Sequence, residues 1–299
     1  GALPWRATAR RRRVCLSRAD GLTRPRRGDD ACSCLRAALD HFFPMTRPTS
    51  AALFLLSCLA GLTYAENLPP PEVTEYWQPV PAVVTATAGL VPSDAIVLFD
   101  GTSLAAWEPV KANGHPWQIE AGAMVVATKP APAPTHDQQT EQSFGDVQLH
   151  LEFRTPAQVV GSSQGRGNSG VFFMGLYELQ VLDSYNNPTY VNGQAGSIYK
   201  QHPPLVNASR PPGEWQTYDA IFMAPRFAAA GTLISPARLT VFHNGVLVQH
   251  DAIMRGPTVW RGEPKYVPHA AKLPLMLQDH RNPLAFRNIW VRELGARGK

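Results

Sequence analysis

Cysteine disappears early from this sequence. The four cysteines of the 299 residues, Cys15, Cys32, Cys34 and Cys58, all precede Ala65, and nothing beyond carries a thiol. A disulfide framework and a thiolate zinc site are therefore excluded for the body of the chain. Helical periodicity is also scarce, and 28 prolines argue against long helices. No HExxH, no serine nucleophile elbow and no Walker Lys-Ser/Thr occurs. Excess positive charge is missing as well once the first 44 residues are set aside. They hold ten Arg against Asp20, Asp29, Asp30 and Asp40, leaving 18 basic and 19 acidic residues in the rest. A slightly acidic body argues against a nucleic-acid partner.

What is present begins with a leader. Residues 1–44 read as an upstream over-translation without structure. Residues 45–65 have the form of a signal peptide: a short basic start at Met45 and Arg47, an apolar core over 51–62, and a small-x-small site at Thr63-Tyr64-Ala65. That core is too short to span a bilayer comfortably. The expectation is export, to the periplasm or the exterior, with lipidation at Cys58 as the alternative. Residues 66–94, rich in Pro, Ala, Thr and Val, read as an extended tether.

The folded body is expected over 95–296. Short alternating runs recur there between turn signals. In residues 149–154 (LHLEFR), Leu149, Leu151 and Phe153 share one face while His150, Glu152 and Arg154 share the other. Further strands are expected at 171–174, 177–182, 273–280 and 286–292. Residues 238–243 and 246–249 flank Asn244-Gly245, a hairpin turn signal. Many short strands in about 200 residues predict an all-β fold, a two-sheet antiparallel sandwich or jelly roll.

Ten motifs in order then resemble one family. They are 96–104 (IVLFDGTSL) with Trp107, 117–122 (WQIEAG), 142–154 (QSFGDVQLHLEFR), 167–173 (GNSGVFF), 177–183 (YELQVLD), 196–199 (GSIY), 213–215 (GEW), Asn244-Gly245, 277–280 (LQDH) and 286–289 (FRNI). Together they resemble the 3-keto-disaccharide hydrolases. The resemblance implies a concanavalin A-like, laminin-G-like jelly roll and a saccharide or glycoside substrate. It also implies a reaction in which a ketone at sugar C3 acidifies the C2 hydrogen. A base removes that proton, donors or a divalent metal stabilise the enolate, an acid assists the leaving group, and water adds. A non-catalytic carbohydrate-binding module is the alternative, because the same sandwich serves both purposes.

The residues offered for such chemistry are few. Glu178 and Gln180 form the polar face of a strand expected to be central, where a carboxylate is costly unless it faces a cleft or is paired. Glu178 is a base or metal ligand in that reading, and a plain solvent-facing glutamate otherwise. His280 is the best single proton carrier, since histidine titrates near neutrality. Gln278 shares its face if the strand continues that far. Glu152 is a third candidate, and paired with Glu178 it would make a two-carboxylate glycosidase. Arg154 is offered as a substrate anchor and Arg287 as holding the loop or the substrate, with cross-strand pairing on an outer sheet face as the alternative for His150, Glu152 and Arg154. Arg166 and Asn168 lie in the glycine-rich segment 161–170, where a loop can approach a ligand closely. Asp183, Tyr199 and Lys200 complete the binding set. Trp107, Trp117, Trp215 and Tyr185 are stacking platforms or core.

Overall fold

The computed structural model describes residues 68–87, 91–126 and 136–295. The expected over-translation at 1–44 and the signal peptide at 45–65, with Cys58, lie outside these residues. The chain divides into two units at Pro79 and Val80. The described part of the first is exposed and holds one 3₁₀ turn, Pro71–Thr74, opened by proline, whose missing N–H is no loss at that position.

The second unit carries fifteen strands among its described residues. In chain order they are β1 (Ile96–Phe99), β2 (Trp107–Pro109), β3 (Gln118–Glu120), β4 (Ala123–Val125), β5 (Gln138–Phe144), β6 (Val147–Arg154), β7 (Ser169–Phe173) and β8 (Tyr177–Val181). β9 (Gln216–Met223), β10 (Arg226–Phe227), β11 (Leu233–Ser235), β12 (Arg238–His243), β13 (Val246–Ile253), β14 (Leu273–Leu277) and β15 (Ala285–Glu293) follow. An eight-stranded sheet runs β13-β12-β9-β6-β15-β4-β3, with β1 also paired to β15. A five-stranded sheet runs β2-β5-β14-β7-β8, and β10 and β11 form a small ribbon. The pairings are antiparallel throughout. The fold is the expected two-sheet jelly-roll sandwich.

Side-chain alternation places the core. Leu149, Leu151 and Phe153 of β6 are fully buried, and so are Tyr177, Leu179 and Val181 of β8. Phe173 of the smaller sheet stacks on Phe222 of the larger, with ring centroids 4.7 Å apart. Such a pair adds about 0.5–1.5 kcal/mol beyond its buried area. The β12–β13 hairpin turns through Asn244 and Gly245 at φ 53° and 78°, the double positive φ that a type I′ turn requires.

Two expectations are corrected. β14 ends at Leu277, so residues 278–280 leave the ladder and form a loop. Asp279 holds that loop: its Oδ2 accepts the His136 amide and its Oδ1 the Arg281 amide, at 2.9 and 2.8 Å. β8 is not central in its sheet but terminal in strand order. It is nevertheless buried on both faces, because a returning segment covers it through the Leu179–Ile198 bridge.

Candidate functional site

The inward face of β8 is apolar, so Glu178 and Gln180 turn to the opposite face of the smaller sheet. There they line a cleft of about 620 Å³. Phe172 and Glu178 lie opposite each other in the β7–β8 ladder and form part of its floor. Gln278 and His280 enter from the loop after β14. Gln164 and Asn168 come from the glycine-rich segment, Tyr190, Tyr199 and Lys200 from the segment covering β8, and Thr258 and Trp260 from the loop after β13.

Gly170 makes room for the carboxyl. A Cβ on that residue would stand 2.9 Å from Glu178 Oε1 and 2.7 Å from the Phe172 ring. Glu178 is only 4 % exposed, and that exposure opens into the cleft. Its backbone amide donates to Thr258 Oγ1 at 3.0 Å. Desolvation is the cause of its shift, pushing the carboxyl up to about 8. Near neutral pH the carboxyl is therefore mostly protonated.

The amide wall is fixed by its own hydrogen bonds. Gln180 Nε2 donates to Gln164 Oε1 at 3.0 Å and to the Gly193 carbonyl at 3.3 Å. Gln164 Nε2 donates to Thr189 Oγ1 and the Gly193 carbonyl, and its own carbonyl accepts from Asn168. Both acceptors of the Gln180 amide nitrogen fix which end of that amide is which, so Gln180 Oε1 is buried with no donor. A buried acceptor without a partner costs about 1–3 kcal/mol until a donor arrives. The opposite wall is aromatic. Tyr190 and Tyr199 share a hydroxyl hydrogen bond of 2.7 Å, and Lys200 Nζ donates to the Trp260 carbonyl at 2.7 Å. The Lys200 ammonium lies 5.7 Å from each tyrosine ring centroid and 6.0 Å from that of Trp260, which is 66 % exposed.

Of the residues singled out from the sequence, Glu178, His280, Asn168, Gln180, Tyr199, Lys200 and Gln278 meet in this cleft. Glu152, Arg154 and Arg287 do not. They alternate with buried residues of β6 and β15 and stand on the outer face of the larger sheet. There Arg287 pairs with Glu152 at 2.7 Å, and Arg154 and Arg287 flank the Trp215 ring at 4.7 and 4.0 Å. Both sheets, about 10 Å apart, separate them from Glu178. Glu152 and Glu178 therefore lie farther apart than the roughly 5–9.5 Å across which two carboxylates cleave a glycoside. Arg166 and Asp183 are bound to one another at 2.7 Å and line a smaller hollow beside Asn282. Asp183 also accepts the Tyr185 amide, so its role here is to hold the loop.

Trp107 and Trp117 are core residues whose indole N–H groups donate to the Leu98 and His136 carbonyls. Sequence reasoning missed Gln164, Phe172, Tyr190, Thr258 and Trp260. Trp260 had the clearest signal, a large aromatic between Gly256 and Gly262 in a loop with no alternation to bury it. Among the described residues no three His, Cys, Asp or Glu side chains gather into a metal-ligand set. The described residues do not build a divalent-metal site.

A jelly-roll sandwich whose cleft joins amides, aromatic rings and one buried carboxyl is the architecture of a carbohydrate-active protein. This chain belongs to the family of the 3-keto-alpha-glucoside-1,2-lyase-like domain, whose model matches residues 94–292. It is similar to a candidate glycosyl hydrolase from Parabacteroides distasonis known from a crystal structure. The two are 48 % identical with a TM-score of 0.69, and the match covers 75 % of this chain and 96 % of that one. A second candidate glycosyl hydrolase from the same organism shares the fold at 18 % identity and a TM-score of 0.50, over 67 % of this chain and 94 % of that one. No curated protein matches.

Proposed function

We propose that this protein cleaves 3-keto-glycosides by removing the C2 proton and expelling the C1 substituent. The observation that carries this reading is the buried Glu178 carboxyl, opening into a cleft that also holds His280, where desolvation pushes it up to about 8. Glu178 is the base. Removing a proton from carbon favours a carboxylate made more basic by desolvation, with a pKa near the working pH. In its ionised form Glu178 takes the C2 proton. The C2–H electron pair passes through the enolate of the C3 ketone and forms the C1–C2 double bond as the C1–O bond breaks. His280 gives a proton to the departing oxygen. Water then adds across the double bond, its hydroxyl to C1 and a proton to C2, giving the free 3-keto sugar.

The surrounding residues hold the ring. Lys200, Asn168 and Gln278 supply donors to substrate oxygen atoms. Trp260, Tyr190 and Tyr199 pack on sugar C–H faces. Export, to the periplasm or the exterior, rests on the form of residues 45–65 and on the absence of cysteine beyond Ala65. N-terminal sequencing of the mature protein should find Glu66 first.

The test compares a 3-keto-glucoside with its unoxidised parent, each mixed with the purified protein. Release of the aglycone from the keto sugar alone is expected, with a bell-shaped dependence of kcat/KM on pH, because the reaction needs one ionised base and one protonated acid. Binding without release from either compound would leave a carbohydrate-binding sandwich and overturn the enzymatic reading.

A further inference from the structure

β8 lies at the end of its sheet, so its outward N–H and C=O groups need partners from elsewhere. The covering segment supplies most of them. The Gly196 amide donates to the Gln180 carbonyl at 3.0 Å, the Gln180 amide to the Ser197 carbonyl at 2.9 Å, and the Tyr199 amide to the Glu178 carbonyl at 3.3 Å. The chain then leaves the edge at Lys200, where φ is 58° and the amide donates to the Asn192 carbonyl instead. The Glu178 amide therefore goes to a side chain, Thr258 Oγ1, at 3.0 Å. The Thr258 amide in turn donates to the Leu176 carbonyl at 2.8 Å. One threonine from the loop after β13 thus completes the edge that carries Glu178. That loop is fastened on either side of Thr258. Gln201 Nε2 donates to the Gly256 carbonyl at 2.9 Å, Gln201 Oε1 accepts the Arg255 amide at 2.7 Å, and Lys200 Nζ donates to the Trp260 carbonyl. Gly256 is packed so closely that a Cβ on it would stand 2.8 Å from the Lys265 amide nitrogen.

We propose that Thr258 is the residue that positions Glu178, through the hydrogen bond its hydroxyl accepts from the Glu178 amide. The inference rests on the reading of Glu178 as the base. Where the covering segment pairs with β8 the acceptors are backbone carbonyls, which a side-chain substitution leaves in place. At Thr258 the acceptor is a side chain. Valine there would keep the branched shape and offer no acceptor. The Thr258 amide bond to Leu176 and the bonds from Gln201 and Lys200 would still hold the loop. The Glu178 amide alone would lose its partner, and an unpaired buried donor is costly. Water in the cleft can relieve that cost only if the edge of β8 shifts towards the opening, and the carboxyl moves with it. A displacement of about 1 Å at a reacting group can cost roughly a hundredfold in rate.

The experiment compares Thr258→Val and Thr258→Ser with the wild type. On a 3-keto-glucoside, kcat should fall at least about tenfold in Thr258→Val while KM changes far less, and Thr258→Ser, which restores the acceptor, should recover most of the loss. A second readout needs no substrate. The Glu178 carboxyl is titrated by carbon-13 NMR, its signal identified by its absence from Glu178→Gln. In Thr258→Val the midpoint should move from about 8 towards the ordinary 4.5 as the carboxyl gains water, and in Thr258→Ser it should stay. The other titratable groups lining the cleft, Tyr190, Tyr199, Lys200 and His280, are the same in these proteins. A lowered Tm in Thr258→Val with kcat or the carboxyl midpoint unmoved would make Thr258 a structural contact only and overturn the assignment. If the wild type cleaves nothing, the reaction proposed above fails and the titration alone decides. A midpoint that moves in Thr258→Val and returns in Thr258→Ser supports the positioning role, and one that stays put overturns it.

Discussion

Replacing Glu178 by glutamine should stabilise the protein while abolishing cleavage. The unfolded carboxyl titrates near 4.5, and burial raises it to about 8 in the fold. A group whose folded pKa is raised contributes its full share of stability below the unfolded value. That share is lost as pH rises towards the folded value, because the unfolded chain ionises first. By linkage the loss is about 3 kcal/mol at pH 7 and about 5 kcal/mol above pH 9. Glutamine cannot ionise, so Glu178→Gln should escape this loss. For a domain of this size, 3 kcal/mol corresponds to a Tm increase of roughly 6–12 °C at pH 7. The assay is thermal or urea unfolding of both proteins from pH 5 to pH 9, with aglycone release measured in parallel. A variant whose stability tracks the wild type across that range would refute the desolvation argument. Higher stability with cleavage retained would remove Glu178 from the chemistry.

Three further outcomes follow from the same geometry. His243 is buried; its Nε2 lies 2.9 Å from Gln216 Oε1, its Nδ1 has no partner, and burial pushes it down to about 4. The unfolded histidine therefore takes up a proton first as pH falls below 6.5. Stability present at pH 7 should decline by about 3 kcal/mol by pH 4, seen as a falling urea midpoint that flattens in His243→Leu. Gly170→Ala should crowd Glu178 and Phe172, lowering stability by about 1–3 kcal/mol and ligand affinity with it, as calorimetry would read. Glu152→Gln, across the sandwich from the cleft, should leave kcat within about twofold. A loss of several orders of magnitude would show that the outer face takes part in the reaction.

The sandwich was legible because alternation is a strong signal. Residues 147–154 bury every second side chain, and the Asn244-Gly245 turn dictates its hairpin. Alternation says which residues point inward but not which sheet's outer face a polar residue ends on. Glu152 and Glu178 therefore looked equivalent in sequence and proved to lie on opposite sides of the core. The same limit applied to Arg154 and Arg287, whose partner Trp215 belongs to neither of their strands. Glu178 and Gln180 were legible as a polar face. Their enclosure was not, since it depends on a bridge to Ile198 and on loops carrying Tyr190 and Trp260 that have no period to read. The sequence reads as strand through 278–280 because these residues follow the apolar run 273–277 directly. The side chain of Asp279, bonded to two backbone amides, is what turns the chain away.

The central claim is that Glu178 takes a proton from carbon. It is tested most directly with a 3-keto-glucoside deuterated at C2, cleaved alongside its protiated twin. The account predicts slower cleavage of the deuterated compound by the wild type and solvent hydrogen at C2 of the product. Equal rates with the deuterium retained would contradict it, because the C1–O bond would then break without C2 ever giving up its proton.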